Sequence, residues 1–375
     1  MLCGALRILA VCATFAVASA VPSPVTSRPP STLIGLVGPM TGSLASYGQA
    51  MERGADLAVR AINAEGSLLD GDLRLLVRDD RCDQERATSV AKELVAEGVS
   101  LVVGHFCSSA SIAAAPIYAA AGVVQISPAS SNGKLTDAQR WPTLFRLTYR
   151  DDWLGYVAGR DMARWHESAP IALVSSGSGL ALVYEESVGF GLHHGGAKAV
   201  ETFRFAERAD FAPLVAELQS RGVEAVFFAG YHEDAARFAL AAEAAGLSAR
   251  IYAGDTLATE QFLLLAKSAA DRVWFLAGHD LGLLPGADEV PAELGRGRPE
   301  IDVYALNSFV ALSLWSEAAA ATGSTEADAV ARMLHQKEWP TPFGQVRFED
   351  DGDVVGPALV QWFTFQDGAI RAVHP

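Results

Sequence analysis

The sequence has little that would tie it to nucleic acid, to a membrane surface or to a metal. Its 29 lysines and arginines stand against 44 aspartates and glutamates, a formal net charge of −15. No basic stripe is available to displace phosphate counterions, so no nucleic-acid partner is expected, and attachment to an anionic lipid surface is disfavoured on the same ground. Charged residues are sparse at 19% and hydrophobic ones make up 50%, which argues against a disordered chain and allows a large core. Beyond the N-terminal segment no apolar run reaches the roughly 20 residues that a membrane span needs. There is no HExxH helix, no Walker loop and no nucleophile elbow. Gly189-Phe190-Gly191 runs into Leu192-His193-His194 and lacks the last glycine of a dinucleotide fingerprint. His105 stands near Ser108, but no orienting acid or oxyanion pattern accompanies the two. The chain is therefore not expected to be an enzyme, and neither a cofactor nor a metal is expected.

Cysteine is scarce as well, with four in 375 residues. Arg7, the apolar run Ile8 to Ala18 and the small-x-small triplet Ala18-Ser19-Ala20 read as a secretory signal cleaved near Ala20. A Pro/Ser/Thr-rich tether, residues 21–31, follows. Lipidation at Cys12 stays open at this level. Cleavage removes Cys3 and Cys12 and leaves Cys82 and Cys107, which in an oxidising compartment suggest one disulfide; a metal-binding pair is the alternative.

What fills the chain is an alternation of short apolar runs and amphipathic stretches. Strands are predicted at Leu33–Val37, Leu73–Val77, Leu101–Val103 and Val123–Ile126, with helices at Gly48–Glu65, Gln84–Ala96 and Ala110–Ala120. The rhythm restarts after Asp151, with strands at Ile171–Val174, Glu224–Phe228, Ile251–Ala253 and Val273–Leu276 and helices at Phe211–Arg221 and Glu233–Ala245. The tail differs: Val346–Phe348, Ala358–Phe365 and Ile370–Val373 read as antiparallel strands with turn signals at Asp351-Gly352 and Asp367-Gly368. The expected fold class is α/β, two doubly wound lobes. Ligands of such sheets sit beyond the carboxyl ends of the strands. There the sequence places Gly38 to Gly48, Gly104 to Ser109 and Ser127 to Asn132, segments rich in small and hydroxyl residues that run into helix starts and suit a carboxylate. Read alone, Ser108 and Ser131 serve equally as helix caps.

Several of these segments, Val37-Gly38-Pro39-Met40-Thr41-Gly42 with Tyr47-Gly48, Asp79-Asp80-Arg81-Cys82-Asp83, Gly104-His105-Phe106-Cys107-Ser108-Ser109, Ser127-Pro128-Ala129-Ser130-Ser131 and Gly230-Tyr231-His232-Glu233 with Asp255, resemble the type I periplasmic substrate-binding proteins, most closely the leucine/isoleucine/valine-binding group of ABC transporters. The resemblance implies a periplasmic, monomeric protein whose lobes are joined by a three-strand hinge and close on a small amino-acid-like ligand. It implies that Ser108, Ser131 and the backbone around Ala129, Ser130 and Ser131 hold the ligand carboxylate. Tyr231 and Asp255 would meet the ammonium, and Tyr47, Phe106 and Tyr304 would line the side-chain pocket. Where the family places a closing tyrosine this chain has Leu180, so a larger apolar amino acid, an amide or an aromatic acid comes into range. The three crossings are expected near residues 150, 278 and 338, giving one lobe of 32–150 plus 279–338 and another of 151–278 plus 339–375. The partner implied is an inner-membrane permease; sensing with a receptor or regulator is the alternative.

Overall fold

Continuous apolar strands, buried on both faces, build each half of the molecule. The structure is a computed structural model and describes residues 31–66, 71–137, 141–177, 179–206, 209–278, 284, 286–295, 299–356 and 360–373. The predicted signal sequence and nearly all of the tether lie outside the described residues.

The first lobe is laid down as β1 (Thr32–Gly38), α1 (Ala45–Glu65), β2 (Leu73–Asp79), α2 (Gln84–Glu97), β3 (Leu101–Gly104), α3 (Ser108–Ala120), β4 (Val124–Ser127), α4 (Lys134–Asp137) and β5 (Leu144–Arg146). Its strands form a parallel sheet in the order β2-β1-β3-β4-β5. One face is covered by α2 and α3 through Val90, Leu94, Ala114 and Tyr118. The second lobe follows as α5 (Asp151–His166), β6 (Ile171–Ser175), α6 (Gly179–His194), β7 (Val200–Arg204), α7 (Ala212–Ser220), β8 (Ala225–Ala229), α8 (His232–Ala244), β9 (Arg250–Ala253), α9 (Glu260–Ala266) and β10 (Val273–Ala277). The chain then returns through α10 (Pro299–Thr322) and α11 (Ala327–Gln336), whose apolar residues cover the other face of the first sheet together with α1.

The last strands divide between the lobes. A small antiparallel sheet, β11 (Trp339–Thr341), β12 (Gly344–Phe348) and β13 (Val354–Val355), precedes the hairpin of β14 (Gln361–Gln366) and β15 (Ala369–Ala372). That hairpin completes the second sheet, β15-β14-β10-β9-β8-β6-β7, and turns at Asp367 and Gly368, both at positive φ as a tight primed turn requires. The small sheet corrects the expected boundary. Trp339, Phe343, Val346, Phe348 and Val354 are buried in the core of the first lobe. The fully buried Arg146 donates to Asp353 at 2.7 Å, and its backbone N–H donates to the Gly352 carbonyl. The third crossing therefore comes after Val355 and not near residue 338. The first lies between Leu147 and Leu154, and the second between Ala277 and Leu284, since these pairs belong to opposite cores.

Two helices that frame the cleft touch through glycine. A Cβ at Gly159 of α5 would stand 2.1 Å from the Val188 carbonyl oxygen, and one at Gly191 of α6 2.2 Å from that of Tyr156. This close approach fixes where the N-terminal turn of α6 meets the first crossing.

Candidate ligand cleft

The carboxyl ends of the strands of both lobes face one cavity of about 450 Å³, within the size range of small-molecule sites. Tyr47 from the first turn of α1, Phe106 from the loop after β3 and Tyr304 of α10 gather on its first-lobe wall. Their ring centroids lie 4.9 Å apart for Tyr47 and Phe106, 5.1 Å for Phe106 and Tyr304 and 5.6 Å for Tyr47 and Tyr304. Ser131 lines the same cavity from the loop after β4; Leu180, Tyr231 and Asp255 line it from the second lobe. Tyr231 is 57% exposed, so it is a cleft residue and not core packing. Leu180, Tyr231 and Asp151 also border a wider outer chamber of about 1110 Å³, where Ser108 is found.

The loops of the first lobe are pinned from below. Cys82 and Cys107 form a disulfide with Cα atoms 5.3 Å apart, joining the turns after β2 and β3. Asp80, fully buried, accepts from the Cys82 N–H at 2.9 Å and pairs with His105 Nδ1 at 2.6 Å; His105 Nε2 lies 3.2 Å from the Tyr118 hydroxyl. Both imidazole nitrogens are thus engaged away from Ser108. Ser108 Oγ instead accepts from the Asn132 N–H at 3.2 Å, bracing the segment after β3 against the loop after β4.

Ser130 departs from expectation. It is fully buried, its hydroxyl lies 2.7 Å from that of Ser111 and reaches the carbonyls of His105 and Phe106, and its own carbonyl accepts from Arg146. With every polar atom used inside the lobe, Ser130 shapes the loop and does not face the cleft. The Ala129 N–H is directed at Ser127 Oγ, at a weak 3.4 Å.

The opposite end of the cavity is acidic. Asp255 opens a short 3-10 turn after β9 and accepts two tyrosine hydroxyls, Tyr149 at 2.8 Å and Tyr184 at 2.7 Å. Burial and the nearby Asp255 charge push both phenols well above their ordinary range, so they remain donors. Gly254 makes room: a Cβ there would lie 2.5 Å from the Tyr184 ring. Asp151, the first residue of α5, is 7% exposed and lines the cavity too. Its carboxyl is pushed up to about 6, first by burial and then by Asp255, against a Ser131 hydrogen bond that works the other way. Tyr149, Asp151 and Tyr184 are absent from the sequence-based set. Tyr184 was within reach of it, one helical turn from Leu180 and so on the same face.

The comparisons agree with this architecture. The Periplasmic binding protein family model matches residues 32–368. A Leu/Ile/Val-binding protein homolog of Brucella abortus is 31% identical over 355 residues, covering 91% of this chain and 93% of that protein. Among solved structures, the branched-chain amino acid transporter substrate-binding protein of Streptococcus pneumoniae in complex with isoleucine superposes with a TM-score of 0.68 at 25% identity, covering 92% of this chain and all of that one. An R. palustris solute-binding protein in complex with benzoate gives 0.71 at 19% identity, covering 92% and 96%. Matched along nearly all its described length, the chain belongs to the periplasmic binding protein family.

Proposed function

We propose that this chain is the solute-binding component of an ABC importer and that it captures an apolar α-amino acid between its lobes. The observation that carries this reading is the polarity of the cavity. Asp255, braced by two phenol hydroxyls, comes from the second lobe, Ser131 and the ring-bearing segments come from the first, and no basic side chain is among the described residues that line the inner cavity. A zwitterion satisfies such a pairing; a carboxylate-only ligand leaves Asp255 and Asp151 without a counter-charge. The packed rings of Tyr47, Phe106 and Tyr304 offer an apolar wall for the side chain. Binding to one lobe recruits the other and raises the closed population by the difference in affinity between the two states. The closed form would then dock on an inner-membrane permease, as the resemblance to transporter components implies. The proposed ligand set is Ser131, Tyr231 and Asp255 with the three rings, and Ser108 at the cleft mouth.

The test is a thermal-shift panel on the chain from Val21, with the twenty amino acids, simple amides, benzoate and 4-hydroxybenzoate. A ligand that binds the folded state alone raises the melting temperature. A shift with leucine, isoleucine, valine, alanine or phenylalanine supports the reading. A shift with the aromatic acids and none with amino acids overturns the ligand class.

A further inference from the structure

We propose that Asp151 is a second acidic contact for the ligand's cationic group, acting with Asp255 from the first crossing so that the cleft selects solutes carrying a positive charge. The inference rests on the amino-acid reading of the cleft and adds a residue to it.

Three observations carry it. Asp151 is buried yet borders both the inner cavity and its outer chamber, so it stands where a ligand must pass or rest. The arginines nearest to it are committed elsewhere. Arg146 is bound to Asp353, Thr136 and the carbonyls of Ser130 and Asn132, and Arg150 to Asp137, Asp152 and Asp353. Asn307, 3% exposed, also lines the inner cavity. Its Nδ2 donates to the Pro128 carbonyl at 2.8 Å, a partner that can only accept, which fixes the amide orientation and leaves Oδ1 without a partner among the described residues. The wall therefore holds two carboxyls that accept only from neutral hydroxyls and one amide oxygen without a partner among the described residues, and an ammonium supplies both a positive charge and the missing donor.

The groups facing Asp151 are Asp255, the hydroxyls of Ser131, Tyr149, Tyr184 and Tyr304, Asp152 beside it and Arg146. With no cation beside it, burial first and the Asp255 charge second push its carboxyl up to about 6. An ammonium arriving beside it favours the ionised form, so binding expels its proton. The sign follows: capture is full above pH 7 and weakens as pH falls through 6. At pH 5 about one-tenth of a group titrating near 6 is ionised, so affinity should drop about tenfold between pH 7.5 and 5. A helix-capping role for Asp151 predicts no such profile.

The experiment is calorimetric titration of the chain from Val21 with L-leucine and L-alanine, each beside its amine-free analogue, 4-methylpentanoate and propanoate. Wild type should show the tenfold fall and release a proton, read as a buffer-dependent enthalpy at pH 6. Asp151→Asn should bind the amino acids roughly tenfold more weakly at pH 7.5, with a flat profile and undiminished binding of the analogues. If that variant fails to fold, the wild-type profile and proton release decide the matter alone. Amino-acid binding that is independent of pH and indifferent to Asp151→Asn overturns this proposal and spares the reading of the cleft. Binding of benzoate with no response to either amino acid overturns both.

Discussion

Removing the disulfide is the perturbation whose size follows most directly from the chain. Cys82 and Cys107 are separated by 25 residues, and in the chain-entropy account a loop of that length restrains the unfolded state by about 3.5 kcal/mol. Both cysteines are partly exposed, so serine introduces no buried unpaired hydroxyl there. For a folding unit of 150–250 residues each kcal/mol moves the melting temperature by roughly 2–4 °C, so the Cys82→Ser/Cys107→Ser protein should melt roughly 7–14 °C below wild type. Affinity should fall much less, because Asp80 still holds both turns through the Cys82 N–H and His105. Scanning calorimetry gives the first quantity, and titration with the ligand found in the panel gives the second. Alkylation before reduction should add no mass to the chain from Val21, which holds only Cys82 and Cys107. Two reactive thiols, or a melting point within about 2 °C of wild type, would refute the reasoning.

Other consequences are as direct. Asp255→Ala removes the carboxylate to which two tyrosines are committed; a charge-assisted bond of about 1.5–3 kcal/mol translates into a loss of affinity of roughly tenfold or more by calorimetry. Gly254→Ala drives a methyl into the Tyr184 ring, an overpacking that should cost about 1–3 kcal/mol in denaturant melts and weaken ligand binding with it. Arg146→Ala removes the shorter of the two arginine contacts on Asp353, leaving it Arg150 and Thr136, and frees the Ser130 and Asn132 carbonyls, so urea unfolding should show a loss of about 1–3 kcal/mol.

The parallel core of both lobes was legible because its strands are unbroken apolar runs and its helices carry a clear period, as in β1 with α1 and β8 with α8. Shorter or more exposed elements gave no such signal. β5 has three residues, and β7 is an edge strand whose residues are nearly all exposed. α10 is apolar nearly all round, which erases the stripe that marks a helix. The tail misled for another reason: an antiparallel pattern does not say which core will receive it, and Trp339 and Phe348 went to the first lobe. At the site, chain order showed which loops meet the cleft but not which of Ala129, Ser130 and Ser131 turns inward. That depends on Ser111 and Arg146, brought there by the fold. Tyr149 and Asp151 escaped because a crossing segment carries no motif.

That crossing is where selectivity and closure meet. Tyr149 belongs to the segment that joins the lobes, yet its hydroxyl holds Asp255 of the second lobe, and Asp151 follows two residues later. A cation drawn to Asp255 is therefore held by groups on the segment that joins the two lobes. An anion in the same place meets two carboxylates, with no basic side chain among the described residues that line the inner cavity. At about 6 Å and an effective dielectric of about 20, one such like-charge contact costs roughly 3 kcal/mol, a discrimination of about a hundredfold. The benzoate-bound relative shares the fold at 19% identity, and a shared fold does not carry over the charges that line its cleft. On this argument the acidic pair, more than the ring wall, separates amino acids from aromatic acids here. A ligand panel measured with Asp151→Asn and Asp255→Asn combined should narrow that gap from the anion's side.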